Sequence, residues 1–199
     1  MRLGYFGGSF DPPHLGHLAV ARAVADTYAL DRILMVPTGN QPLKPNGATA
    51  SYSDRFAMVR LLCEGDPRLQ ASAIEAPTDP PRPNYTIDTL RRLKAEGLDT
   101  ELFVVVGADA FHQLLLWREP GSLLAIAEWI VVTRPHAAND ELSLPPLTTA
   151  QRNRVHTLST LDHPASATAI RAELASGGDC AGMLSSELLA YIREHHLYR

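Results

Sequence analysis

The chain has little with which to staple, anchor or repeat itself. It holds two cysteines, Cys63 and Cys180, far apart and without metal-ligand spacing. That pair supports neither a disulfide scaffold nor a zinc site, and it reads as two thiols kept in a reducing, cytoplasmic setting. No apolar run is long enough to span a bilayer. The opening Met1-Arg2-Leu3-Gly4-Tyr5-Phe6 turns glycine-rich too soon for a signal peptide, so no membrane is expected among the partners. Without such a signal, Asn84-Tyr85-Thr86 is a glycosylation-like tripeptide by coincidence. Excess positive charge is also missing. The net charge is −4, which argues against nucleic acid as a partner. The Gly-Lys-Ser/Thr ending of a P-loop and the G-x-G-x-x-G dinucleotide fingerprint are both absent. There is no internal repeat and no low-complexity segment.

What remains is an ordinary globular composition, 45% hydrophobic and 20% charged over 199 residues. That is long enough to bury a core without disulfides. A single domain over 1–199 is expected, with a helical C-terminal portion from about 166 packed on it. Nothing in the sequence excludes a homo-oligomer. Charge is unevenly shared: residues 1–60 hold six Lys/Arg against four Asp/Glu, the remainder twelve against eighteen. The first third is therefore the more hospitable to an anion.

Short apolar runs at 3–6, 33–36, 69–74, 102–106, 129–132 and 155–158 read as buried strands. Between them, helical patterns cover 15 to about 30, a stretch after Ser51 or Ser53, 85–96, a short piece reaching Trp117, and 123–127. Residues 167–175 and 187–194 close the chain as helices, and 136–152 read as loop. Strands alternating with helices predict an α/β fold: a doubly wound, Rossmann-like parallel sheet with helices on both faces. Ligands bind such sheets beyond the carboxyl ends of the strands. Three motif-bearing segments fall there: 7–17 after the first strand, 37–44 after the second and 107–109 after the fourth.

The first of these, Gly7-Gly8-Ser9-Phe10-Asp11-Pro12-Pro13-His14-Leu15-Gly16-His17, carries the most chemistry. Glycines let backbone amides approach a ligand. His14 and His17, three apart, share one face of a helix start that also presents unpaired N–H groups and a partial positive charge. Amides, dipole and imidazoles together suit a phosphate. Late in the chain, Ser166 can cap a helix. Its hydroxyl, that of Thr168 and the Arg171 guanidinium could converge on a polyphosphate, or form only an ordinary cap beside a solvated arginine.

His14-Leu15-Gly16-His17 resembles the H-x-G-H signature of nucleotidyltransferases. The full eleven-residue string resembles the bacterial nicotinate-nucleotide adenylyltransferase family. Ala165-Ser166-Ala167-Thr168-Ala169-Ile170-Arg171 is similar to that family's late I-S-x-T-x-I-R segment. Tyr85-Thr86-Ile87-Asp88-Thr89-Leu90 is similar to its Y-T-x-x-T-L helix start. Gly107-Ala108-Asp109 with Leu114 and Trp117, and then Arg134-Pro135, also match it in order. One departure stands at Leu43-Lys44, where the family loop usually carries His before the basic residue.

The resemblance implies adenylyl transfer from ATP to nicotinic acid mononucleotide, giving deamido-NAD and pyrophosphate. It implies Mg²⁺ accompanying ATP, with no metal cage of protein ligands. His17 would meet the α-phosphate and His14 the polyphosphate. Gly7, Gly8, Ser9 and Phe10 would line the nucleotide cradle, and Ser166, Thr168 and Arg171 would hold the leaving pyrophosphate. On the acceptor side, Trp117 would stack on the pyridine ring and Thr86 would meet its carboxylate. Asp109 would bond nucleotide hydroxyls, with Gly107, Lys44 and Arg134 beside them. The alternatives are an adenylyltransferase for the amide mononucleotide or pantetheine phosphate, or a nucleotide sensor without turnover.

Overall fold

The computed structural model describes residues 1–42, 47–97, 99–133, 145–159 and 165–199, and among them six strands alternate with helices. The strands are β1 (Arg2–Gly8), β2 (Arg32–Pro37), β3 (Leu69–Ala71), β4 (Glu101–Gly107), β5 (Glu128–Thr133) and β6 (Val155–Ser159). All neighbours pair parallel, in the order β3-β2-β1-β4-β5-β6. The order reverses between β1 and β4, where a doubly wound sheet has its switch point.

The helices are α1 (Leu15–Thr27), α2 (Tyr52–Cys63), α3 (Thr86–Glu96), α4 (Ala108–His112), α5 (Pro120–Ile126), α6 (Thr149–Arg152), α7 (Ala167–Ala175) and α8 (Ser186–Glu194). A 3-10 turn, Leu114–Leu116, follows α4. Side chains alternate across the strands, so the sheet carries two cores. Ile33, Met35, Phe103, Val105 and Ile130 face one cluster with Ala21, Val24, Met58, Val59, Ile170, Leu188 and Ile192, drawn from α1, α2, α7 and α8. Leu3, Tyr5, Leu34, Val36, Val104 and Val106 face the other, with Ile87, Leu90, Phe111, Leu123 and Leu124 from α3, α4 and α5. Helices thus cover both faces of the sheet, as the near-continuous apolar strands require.

Local chemistry sets the ends of these elements. Ser51, not Ser53, caps α2, its Oγ accepting from the Asp54 amide at 3.1 Å. α1 stops at Thr27, earlier than its apolar pattern suggests. Ala29 turns left-handed (φ 46°) and the Leu30 amide donates back to the Ala25 carbonyl at 3.0 Å, closing the helix. The expectation of loop over 136–152 is corrected at its far end, because α6 is a one-turn helix. Thr148 Oγ1 accepts from the Gln151 amide and Gln151 Oε1 from the Thr148 amide. This Thr-x-x-Gln capping box was legible in the sequence. Among the described residues, no helix is long and apolar enough to cross a membrane.

Candidate active site

Strands β1 and β4 stay paired only from Arg2↔Glu101 to Tyr5↔Val104. Beyond that, Phe6–Gly8 continues on β2 and Val105–Gly107 on β5. The two carboxyl ends splay, and a cavity of about 430 Å³ opens between them. Gly7, Gly8 and Ser9 form one wall, Gly107 and Asp109 the opposite one, and Thr86 and Trp117 also line it. These predicted residues come from β1, α3, β4 and the segment that follows β4.

On the α1 side of the β1 tip stand the two histidines. His14 is the N-cap of α1, and His17 reaches back so that its Nδ1 accepts the His14 amide at 3.2 Å. The imidazole thereby does what Glu or Gln does in a capping box. A neutral His17 must then carry its proton on Nε2. Burial first, and the neighbouring His14 second, push the His17 pKa well below its ordinary value. His17 is therefore a neutral imidazole that can donate from Nε2. The two rings lie 3.7 Å apart at their centroids, and Phe10 and Phe6 flank His17 at 4.9 and 6.0 Å. Gly16 leaves space between the histidines, since a Cβ there would press on His14 Nδ1 at 3.0 Å. The helix start is less open than the sequence suggests, because the Met183 carbonyl takes the Leu15 amide at 2.9 Å.

Asp11 ties this side together. Its carboxylate accepts from the Thr49 amide (2.6 Å), the Ala50 amide (3.0 Å) and the Tyr198 hydroxyl (2.8 Å). Burial raises its pKa, but these donors and the nearby Arg171 charge outweigh that and hold it below the ordinary value. The Asp11 carbonyl accepts from Arg171 Nη1 at 2.7 Å. Arg171 is thus delivered beside the histidine helix across almost the whole chain. Thr168 Oγ1 lies 3.5 Å from Arg171 Nη2, while Ser166 Oγ is taken up in capping α7. Phe10, read as cradle backbone, has its ring buried in the core with a left-handed φ of 48°. Buried Arg55 donates to three carbonyls, those of Ser9 (2.6 Å), Thr38 (3.0 Å) and Ala50 (3.3 Å), bracing the loops around that cradle.

The cavity side is built differently. Thr86 opens α3, and Tyr85 before it lies under the Arg118 guanidinium at 4.7 Å. Trp117, half-buried, meets Trp129 edge-on at 6.0 Å and leaves part of its ring to the cavity. Asp109 is exposed in the first turn of α4. Beneath Thr86 lies a buried pair, Tyr5 and Glu75, whose hydroxyl-to-carboxylate bond is 2.7 Å. Asn84 Oδ1 accepts from the Asn40 amide at 2.7 Å, so the glycosylation-like tripeptide is part of the cavity wall.

Comparison with known proteins gives the chain a family. A family model described as cytidylyltransferase-like matches residues 5–173. A probable nicotinate-nucleotide adenylyltransferase of Roseiflexus sp. (strain RS-1) is 39% identical over 99% of this chain and 98% of its own. One from Solibacter usitatus (strain Ellin6076) is 37% identical over 100% of both chains. The chain belongs to the nicotinate-nucleotide adenylyltransferase family. Its fold also matches the Plasmodium falciparum nicotinic acid mononucleotide adenylyltransferase solved with NaAD. That match has a TM-score of 0.75 and 15% identity, covering 99% of this chain and 97% of that one.

For a member of this family, the motif residues fall into two groups on either side of the β1 tip. Gly7, Gly8, Ser9, Thr86, Gly107, Asp109 and Trp117 line the cavity. His14, His17, Thr168 and Arg171 gather around the α1 and α7 starts. Lys44, Leu43 and Arg134 lie outside the described residues. Sequence reasoning missed Asp11 as a hub, Arg55 as a brace, and Tyr5, Glu75 and Arg118 as lining. Asp11 stood inside the recognised motif. The others carried no local signal, since each gains its place through contacts distant in sequence. Among the described residues, no group of three His, Cys, Asp or Glu side chains could hold a metal ion.

Proposed function

We propose that this chain transfers the adenylyl group of ATP to nicotinic acid mononucleotide, giving deamido-NAD and pyrophosphate. The observation that carries this reading is the cavity where β1 and β4 part, with Trp117 and Thr86 on its wall and the His14–His17 pair behind the same β1 tip. A pyridine nucleotide has a ring to stack and a charged substituent to bind. The cavity offers an aromatic face and a helix start for these.

In the reaction, a 5′-phosphate oxygen of the acceptor forms a bond to the α-phosphorus of ATP. The bond from that phosphorus to the bridging oxygen of the β-phosphate breaks, and pyrophosphate leaves with the electron pair. Both partners are anions, so the protein's task is positioning and charge stabilisation, with no nucleophilic side chain required. His17 donates its Nε2 proton in a hydrogen bond to the α-phosphate region. His14 and Arg171, with Thr168, bind the departing pyrophosphate. Asp109 bonds acceptor hydroxyls, and Lys44 and Arg134 complete the acceptor's phosphate surroundings. A divalent cation, magnesium in this reading, would come with ATP as part of the substrate and offset phosphate charge. Cys63 and Cys180 are free and buried, which supports a cytoplasmic setting.

Pyrophosphate release from ATP with the acid mononucleotide, the amide mononucleotide and pantetheine phosphate tests the reading. The acid is expected to react fastest. Faster release with the amide mononucleotide or with pantetheine phosphate, or none with any acceptor, would sink it.

A further inference from the structure

Glu75 is 2% exposed, yet it borders the proposed acceptor cavity. It sits in the tight turn after β3, and three hydroxyls converge on its carboxylate. Tyr5 donates from β1 at 2.7 Å and Thr89 from α3 at 2.8 Å, and the Thr38 hydroxyl, just past β2, lies near enough to lower the Glu75 pKa. Tyr52 of α2 is close enough for its phenol to feel the Glu75 charge. Among the described residues, no Lys, Arg or His forms an ion pair with it. On the other side of Tyr5, the Thr86 hydroxyl is near enough to influence the phenol, and Thr86 lies one turn before Thr89 on α3, on the same cavity wall. Buried Glu75, the Tyr5 phenol and the Thr86 hydroxyl therefore follow one another toward the cavity. Gly7 makes room for the phenol: a Cβ there would come within 2.7 Å of the Tyr5 Cζ. Tyr5 and Gly7 share this face because strand side chains repeat every second residue.

We propose that Glu75 is a positioning residue which, through Tyr5, sets whether the Thr86 hydroxyl offers a proton or lone pairs to the pyridine substituent of the acceptor. This rests on the placement of that substituent at Thr86 proposed above. With Glu75 ionised, the bonds run inward: Thr86 donates to Tyr5, Tyr5 donates to Glu75, and Thr86 Oγ1 is left as an acceptor. That polarity suits a carboxamide, whose NH₂ donates. With Glu75 protonated the chain reverses: Glu75 donates to Tyr5, Tyr5 to Thr86, and Thr86 donates outward. That polarity suits a carboxylate, which only accepts. Binding of the acid mononucleotide then takes up a proton at Glu75 from solvent. Burial raises the Glu75 pKa against the three hydroxyls that lower it, which brings the switch closer to neutral pH.

The measurement is the ratio of kcat/KM for acid over amide mononucleotide against pH. The 5′-phosphate titrates in both acceptors and cancels in the ratio. In the native protein the ratio should fall at least ~5-fold between about pH 6 and about pH 8.5. In Glu75→Gln it should be flat. In Tyr5→Phe the relay is cut, so the ratio should drop and become flat, and adding Glu75→Gln should change it no further. If either buried variant fails to fold, Thr86→Val should flatten the ratio and Thr86→Ser restore its pH dependence. An unaltered pH dependence in Glu75→Gln or Thr86→Val overturns the relay. So does an equal loss for both acceptors, which is what a merely structural Glu75 would give. Turnover of neither mononucleotide by the native protein overturns the functional reading, and the relay with it.

Discussion

The two sides of the β1 tip are built on opposite plans. On the histidine side, one short stretch of chain makes most of the arrangement. His14 caps, Gly16 leaves room, and His17 folds back onto the His14 amide. On the cavity side, Thr86, Asp109 and Trp117 come from separate elements, and each is placed by what it packs against. The difference shows where each side is vulnerable. The first fails when a hydrogen bond within it is lost, the second when a distant support shifts.

The largest effect that would break this contrast is at His17. His17→Ala is expected to lower kcat by about 10²–10³, the usual loss for one donor at a developing charge, while the fold survives. Steady-state pyrophosphate release read beside a thermal melt checks this, and near-native turnover would remove His17 from the chemistry. Next is Asp11→Asn, which should cost about 2 kcal/mol of stability because a buried carboxylate with three donors becomes a poorer acceptor. A denaturant midpoint equal to the native one would show that the histidine side does not depend on Asp11. Trp117→Ala sharpens the other half: the KM for the mononucleotide should rise roughly 10-fold, a typical stacking contribution, with the KM for ATP nearly unchanged. Equal rises in both would make Trp117 structural.

The smallest effect is in pH, and it separates the sides by sign. The His17 pKa is lowered by folding, so the unfolded chain binds the proton more readily. Stability contributed this way is full above about pH 6.5 and declines as pH falls below it. The Glu75 pKa is raised by folding, so its contribution runs the other way: stability is lost as pH rises above about 4.3. Replacing His17 by Asn should therefore make acid less damaging between about pH 5 and about pH 6.5. Urea midpoints at several pH values test this. An unchanged slope would mean that His17 titrates normally.

Much of the histidine side could be read before any coordinates. The H-x-x-H spacing puts both imidazoles on the first turn of a helix, and Ser166 caps its helix as expected. The strand runs were legible because parallel strands buried on both faces must be apolar throughout. Less was legible where a contact crosses the sheet or spans the chain. Gly7 reads in sequence as access for a ligand, whereas its missing Cβ is filled by the phenol of Tyr5. Tyr198 packs in the core, and its hydroxyl also reaches Asp11 across almost the whole chain. α6 was missed although its Thr-x-x-Gln box was on view, because turn residues around it dominate the stretch.

By itself, then, the sequence determined the strand–helix alternation, the Ser166 cap, and the pairing of His14 with His17. Each of these depends on residues within a few positions of one another, where steric and hydrogen-bonding preferences act directly. Only the tertiary structure decided that Arg171 meets the Asp11 carbonyl, that β1 and β4 part after Tyr5 to open a cavity, and that the Tyr5 hydroxyl bonds Glu75 on the same cavity wall as Thr86. Those depend on strand order and on which face of the sheet each side chain takes, and no local pattern encodes which distant residue will be opposite.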